Sequence, residues 1–218
     1  MQNETTPRIT PSLPPAWDEV ALDALGAFPR GLAFVLSKWN AGGQGAGGMH
    51  ILGTMALNPP LAKAFLTFNA HVSGANTLAV RVRELVILRI SWLRQAEYEY
   101  VHHVTLGMRA GLTGEEIDRI QAGPDAPGWS ADDADLLRAT DELCAQTGIS
   151  RATWTRLAVH MSREQMIDLV FVIGCYEVLA MAIKSFNVEL EPGISPLDPA
   201  TRARMYRISG AEKNLRSA

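Results

Sequence analysis

In the run Glu97-Tyr98-Glu99-Tyr100-Val101-His102-His103, a carboxylate and an imidazole, Glu99 and His103, stand four residues apart. On a helix that spacing puts both side chains on one face, within reach of each other. A carboxylate beside an imidazole stabilises the imidazolium and selects the ring nitrogen that carries the proton, which is what a proton-transfer site needs. Spacing alone is also met by an ordinary surface pair worth about 0.2–0.5 kcal/mol, and on spacing alone that plainer reading is favoured. His102 points about 100° away from His103 on the helix and is expected at the pocket edge. Tyr98 and Tyr100 flank Glu99 and are candidates to line a cavity for a ring-shaped substrate, although aromatics at helical spacing are more often core.

Other residues narrow the chemistry. His50, His71 and His160 have no acidic or histidine partner at ligand spacing, and no His-Glu-x-x-His run occurs, so neither a metal nor another cofactor is expected. The glycine-rich stretch from Gly42 to Gly48 lacks the closing Lys-Ser or Lys-Thr of a phosphate loop and reads as a flexible linker. Cys144 and Cys175 are the two cysteines, too far apart to form a disulfide framework or a zinc motif, and read as structural thiols. Arg81, Arg83, Arg89 and Arg94 surround the motif, and one of them could hold a substrate carboxylate; helix geometry does not select which. Glu177 lies in an apolar helix, where an unpaired carboxylate is costly; it is expected to pair at a subunit interface or to face the pocket.

Helices must carry these groups. Apolar spacing and proline punctuation predict short helices over Trp17–Phe28, interrupted by Pro29 and Gly31, and over Leu32–Trp39. Helices over Met49–Leu57 and Leu61–His71 follow, separated by Pro59 and Pro60. Leu78 to Ala110 is richly helical and ends at Gly111. Thr113 to Glu116 is a capping box for a helix reaching about Gln121. Ser130 opens a helix closed by Gly148, Ser150 caps the next, and Ser162 to Gln165 caps a long apolar helix ending near Phe186. No strand pattern appears, so the fold class is all-α. The chain divides into an arm with short helices and the Gly-rich loop (1–48), a helical domain carrying the motif (49–190) and a polar basic tail (191–218) with Arg202, Arg204, Arg207, Lys213 and Arg216.

A chain of 218 residues with a formal charge of −3 can bury a full core and shows no basic footprint for nucleic acid. Residues 1–15 do not resemble a signal peptide, and the apolar stretch from Ile167 to Ile183 falls short of a bilayer and holds Asp168 and Glu177. No membrane partner is expected, and the location expected is cytoplasmic.

Three ordered segments carry a resemblance: Arg83-Glu84-Leu85-Val86-Ile87-Leu88, then Ala96-Glu97-Tyr98-Glu99-Tyr100-Val101-His102-His103-Val104, then Ala110-Gly111-Leu112-Thr113. Together they resemble the signature of the carboxymuconolactone decarboxylase and AhpD-like family, most strongly over Thr77–Leu112. The resemblance implies an AhpD-like helical bundle, a homo-oligomer of trimer or hexamer size, and a reactive centre of Glu84, Glu99 and His103. It also places the break between the two motif helices at Arg94-Gln95-Ala96-Glu97. In the AhpD-like pattern, a Cys-x-x-Cys-x-x-x-His run aligns with Ala96, Glu99 and His103, so both cysteines are replaced here. Without a thiolate pair, thiol peroxidase chemistry by that route is absent.

The resemblance therefore points to the branch using acid–base chemistry, most simply a cofactor-independent decarboxylase of a small carboxylated lactone or unsaturated acid. In that reading Glu99 orients His103, His103 protonates carbon, and Glu84 relays protons. An isomerase or hydratase on the same residues, an AhpD-like antioxidant protein and a non-catalytic oligomeric binding protein are the alternatives. This chain is longer than the dedicated lactone decarboxylases, and substrate identity does not transfer with the motif.

Overall fold

The computed structural model describes residues 6–43 and 45–215, with side chains placed as far as residue 207. Every regular element among them is helical, and the chain forms two compact units.

The first unit takes residues up to Asn76 together with Met181–Ser195. A 3-10 turn at Pro14–Ala16 leads into α1 (Glu19–Leu25), whose first turn is capped by Asp18 accepting from the Ala21 amide. Helix α2 spans Pro29–Asn40. Pro29 starts this helix where the sequence suggested an interruption, because a first-turn proline gives up no hydrogen bond. Helices α3 (Met49–Met55) and α4 (Pro59–Gly74, capped by Asn58) complete the unit around a core that includes Trp17, Leu25, Met49, Leu52 and Leu66. The glycine-rich stretch is packed where it reaches this core: Ala46 is buried, and a side chain at Gly45 would collide with the Pro192 carbonyl.

The second unit takes Thr77–Ala180 and the chain from Pro196 onward. It holds α5 (Val80–Leu93), α6 (Glu97–Arg109), α7 (Gly114–Ala122), α8 (Ala131–Gln146), α9 (Arg151–Leu157), most of α10 (Arg163–Phe186) and α11 (Pro199–Leu215). Helix α5 is the central element, buried continuously from Glu84 to Trp92, with α6, α7 and α8 packed around it. Side-chain caps at Thr113, Ser130, Ser150 and Ser162 start α7 to α10 where the sequence put them.

Two helix ends show the same backbone device with different residues. At the end of α6, Gly111 (φ 98°) is left-handed, the Leu112 amide donates to Gly107 O and the Gly111 amide to Met108 O. At the end of α5, Gln95 takes that position at φ 54°, the Ala96 amide donates to Ser91 O and the Gln95 amide to Trp92 O. The break implied by the resemblance is therefore real, and Gln95 is held by its side chain donating to Met205 O. Thr147 (φ 60°), not Gly148, ends α8.

Helix α10 is longer than the apolar stretch read from the sequence: its 24 residues are long and apolar enough to cross a membrane by length and composition. It carries core groups such as Leu169, Val172 and Ile173, and Asp168 accepts from the amide and hydroxyl of Thr77. It packs in this structure as a core helix with one exposed apolar face, at Ile167, Phe171 and Val178. The basic tail is also helical over most of its length. Arg202 pairs with Glu97 and Arg204 donates to Gln121, which ties α11 to the unit. Arg216 and the Lys213 side chain lie outside the described residues.

Candidate active site

Glu84 on α5 and His103 on α6 meet inside the second unit, His103 Nδ1 lying 2.7 Å from Glu84 Oε2. The tight turn at Arg94–Ala96 folds α6 back along α5. Gly107 lets the two helices approach, since a Cβ there would sit 3.1 Å from the Leu88 and Leu112 methyls and 3.9 Å from Glu84 Cβ. Both side chains are well covered, Glu84 at 5% and His103 at 12% exposure. The carboxylate on Nδ1 fixes the orientation of the ring and leaves Nε2 as the nitrogen available to a ligand. The Tyr176 ring of α10 stands edge-on to His103, centroids 5.1 Å apart at 88°.

Glu99 does not take the expected place beside His103. It is buried, and neither of its carboxyl oxygens meets a hydrogen-bond partner among the described residues. Burial pushes its pKa well above the usual carboxylate range, and the charge of Glu177 raises it further. The partner that orients His103 is thus Glu84, reached across the helix pair, while burial favours the protonated form of Glu99. Burial likewise raises the Tyr176 hydroxyl, with Glu84 and Glu99 adding to the effect, so this phenol keeps its proton.

The flanking residues divide between faces. His102 Nδ1 donates to Tyr98 O at 2.6 Å and its ring stacks on Tyr98, centroids 4.4 Å apart. Tyr100 packs against Trp92, and its hydroxyl, 3.5 Å from Ile117 O, is pushed by burial up to about 12. Tyr100 therefore serves the contact with α7, while Tyr98 and His102 are engaged with each other. An open groove lined by Trp92, Asp118, Gln121, Ala122, Arg204 and Arg207 shares no residue with the Glu84–His103 pair. Among the described residues, no group of three His, Cys, Asp or Glu side chains could hold a metal.

Glu177 finds partners within the unit. Arg94 Nε lies 2.7 Å from each of its oxygens, and Cys144 Sγ donates to Oε1 at 2.8 Å. Burial, with that hydrogen bond, drives the Cys144 thiol far above its ordinary pKa, and neither Cys144 nor Cys175 forms a disulfide. Tyr176 stands 73 positions from His103 in the chain, so no local sequence signal marks it.

The fold is an all-helical one of AhpD-like type built around a Glu–His pair. Residues 59–142 match the model of the carboxymuconolactone decarboxylase family. A protein of unknown function from Agrobacterium tumefaciens, suggested to be the antioxidant defence protein AhpD, is similar in structure at 21% identity. The match covers 62% of this chain and 93% of that one, with a TM-score of 0.58. A variant of the debrominase Bmp8 in complex with 2,3,4-tribromopyrrole matches at 15% identity over 94% of this chain and 100% of its own, TM-score 0.66. An uncharacterized peroxidase-related protein from Silicibacter sp. TM1040 matches at 14% identity over 87% and 96%, TM-score 0.65. No curated protein gives a significant match.

Proposed function

We propose that this chain is a cofactor-independent acid–base lyase, acting as a decarboxylase on a small carboxylated lactone or unsaturated acid. The observation that supports this most is the 2.7 Å Glu84–His103 contact; in the same unit lies Glu99, buried with no hydrogen-bond partner among the described residues, its pKa raised by burial. Such a set holds and moves protons. It contains no thiol, since Cys144 is committed to Glu177 and Cys175 is buried.

In the reaction, the bond between the substrate carbon and its carboxylate breaks, CO2 leaves, and the electron pair passes into the adjacent unsaturated carbonyl. His103, protonated at Nε2 and stabilised by Glu84, then delivers that proton to carbon, and a proton from solvent restores the imidazolium. Glu99, whose protonated form is favoured by burial, keeps its proton and donates a hydrogen bond to the carbonyl oxygen where negative charge develops. With His103 first removing a C–H proton and then returning it at another carbon, the same pair gives an isomerase. With His103 taking a proton from an attacking water and returning it to carbon, it gives a hydratase; an isomerase or hydratase is the second reading supported by the Glu–His pair. Ile167, Phe171 and Val178 on α10 give the homo-oligomer implied by the family resemblance an apolar face to bury.

The test is CO2 release from a panel of carboxymuconolactones and related unsaturated acids, comparing wild type with His103→Ala and Glu84→Gln. Release that falls by about 10²-fold or more in both variants supports the decarboxylase. Release from none of the panel refutes it and moves attention to isomerase and hydratase assays on the same variants.

A further inference from the structure

Four arginines surround the motif, and the structure commits three of them. Arg81 is held by Asp133 and Glu116. Arg89 forks onto Asp141 and donates to Ile120 O and Gln121 O. Arg94 grips Glu177 and donates to Cys144 O. Arg83 differs. Its side chain is only 12% exposed, yet its single ionic neighbour among the described residues is Glu84 Oε1 at 3.7 Å, beyond hydrogen-bond distance. Its Nε is completely covered and meets no acceptor among the described residues. The cost of burying Nε without an acceptor falls on that one N–H, while the two terminal nitrogens of the fork are held by no acceptor among the described residues and are left for a ligand's anion.

Position adds to this. The Glu84 carboxylate has one oxygen on His103 and the other facing Arg83, so Arg83 sits one residue from the proton-transfer pair, and its charge reaches the Tyr176 hydroxyl. From this geometry we infer that Arg83 is the anchor for an anionic group of the ligand, a carboxylate gripped by the planar fork beside the Glu84–His103 pair. The inference rests on the acid–base reading for the place of the ligand but not for the reaction it undergoes.

The chemistry also says which carboxylate. An arginine bound to a carboxylate that must depart as CO2 stabilises the ground state and raises the barrier. Arg83 therefore holds a carboxylate that survives the reaction, and the ligand carries a second group as the one that reacts. Substrates with a single carboxylate bind at Arg83 but are turned round for decarboxylation.

The experiment is calorimetric binding of crotonate and benzoate, each against its neutral amide, to the full chain. Wild type should bind each acid at least about tenfold more tightly than its amide, as a charge-assisted contact implies. Arg83→Gln should lose about 10- to 100-fold in acid binding and little in amide binding. Arg83→Lys should recover part of the loss, while Arg204→Gln in the separate groove should leave binding unchanged.

Equal affinity for acid and amide in wild type, or failure to bind either acid, overturns the inference without any variant having to fold. So does acid binding that survives Arg83→Gln. A chain that binds these acids through Arg83 but releases CO2 from nothing keeps this inference and loses the decarboxylase. A chain that decarboxylates with unchanged kcat/KM after Arg83→Gln does the reverse.

Discussion

Glu99→Gln removes one titrating proton while keeping the shape of the side chain. Both Glu99 oxygens are buried without a partner among the described residues, and burial, reinforced by Glu177, keeps the acid protonated well above the ordinary carboxylate range. In the unfolded chain the same carboxyl ionises near its usual value of about 4.3. Between those two values the folded state holds a proton that the unfolded state has lost. Stability from this group is thus fully present below the unfolded pKa and drains away as pH rises towards the folded one. The slope is about 1.4 kcal/mol per pH unit for one proton, or about 3–6 °C in Tm for a chain of this size.

The Glu99→Gln protein lacks this slope. Its stability relative to wild type should rise with pH by up to that amount per unit, measured by urea and thermal melts from about pH 5 to about pH 8 at fixed ionic strength. Glu84, His103, Tyr176 and Glu177 remain in both proteins, so their own titrations largely cancel in the difference. A stability difference that does not change with pH would show that Glu99 ionises alike in both states and would refute the neutral buried acid. The variant should also turn over more slowly, because an amide has no proton of comparable acidity to give. Greater stability at neutral pH together with lower activity would separate a catalytic role for Glu99 from a structural one.

Arg94→Ala takes from Glu177 its ionic partner and leaves it the Cys144 thiol, and should destabilise the chain by about 1–3 kcal/mol in urea melts, below a fully buried pair because Arg94 is 36% exposed. Cys144→Ala with Cys175→Ala should leave CO2 release and the absence of peroxide reduction unchanged; peroxide reduction lost on this double change would instead reveal a thiol activity. Gln95→Gly should change stability by less than about 1 kcal/mol, since relief of the left-handed backbone at φ 54° is offset by loss of the hydrogen bond to Met205 O. A large loss in melts would show that the Gln95 side chain, not the turn geometry, holds the α5–α6 break.

Much of the helix plan is written locally. Thr113, Ser130, Ser150 and Ser162 each satisfy free amides at a helix start, and a cap is read from three or four adjacent residues. The α5 end is silent in the sequence because Gln95 fills a left-handed position that glycine usually marks, and its support comes from Met205, 110 residues on. Site pairing is silent for a similar reason. Glu84 and His103 both stand out in the motif, but which acid touches the imidazole depends on how α6 folds back on α5, not on spacing within α6. The tyrosines show the limit of adjacency: Tyr98 and Tyr100 flank Glu99 in sequence, yet neighbours on a helix diverge by about 100° and cannot all face one pocket. Tyr176 reaches His103 from α10 instead.

The exchange at position 99 changes what this scaffold can ask of a substrate. Where the AhpD-like pattern has a cysteine, the site gains its reactivity from a thiolate that must ionise, attack and find a second sulfur to close a disulfide. A carboxyl at the same place is shifted towards its un-ionised form by the burial that would also burden a thiolate, and Ala96 fills the position of the second sulfur. What remains is the proton-handling half, Glu84 with His103, and elsewhere in the same unit a carboxyl whose protonated form burial favours. In the proposed reaction the electrons are accommodated within the substrate itself, which calls for a conjugated carbonyl or an equivalent sink next to the breaking bond. Arg83, the one motif arginine without a committed acceptor among the described residues, fits a ligand that brings negative charge of its own. The two demands, an internal electron sink and a retained anion, define the substrate more tightly than the family resemblance does, and each can fail in an assay that the other does not touch.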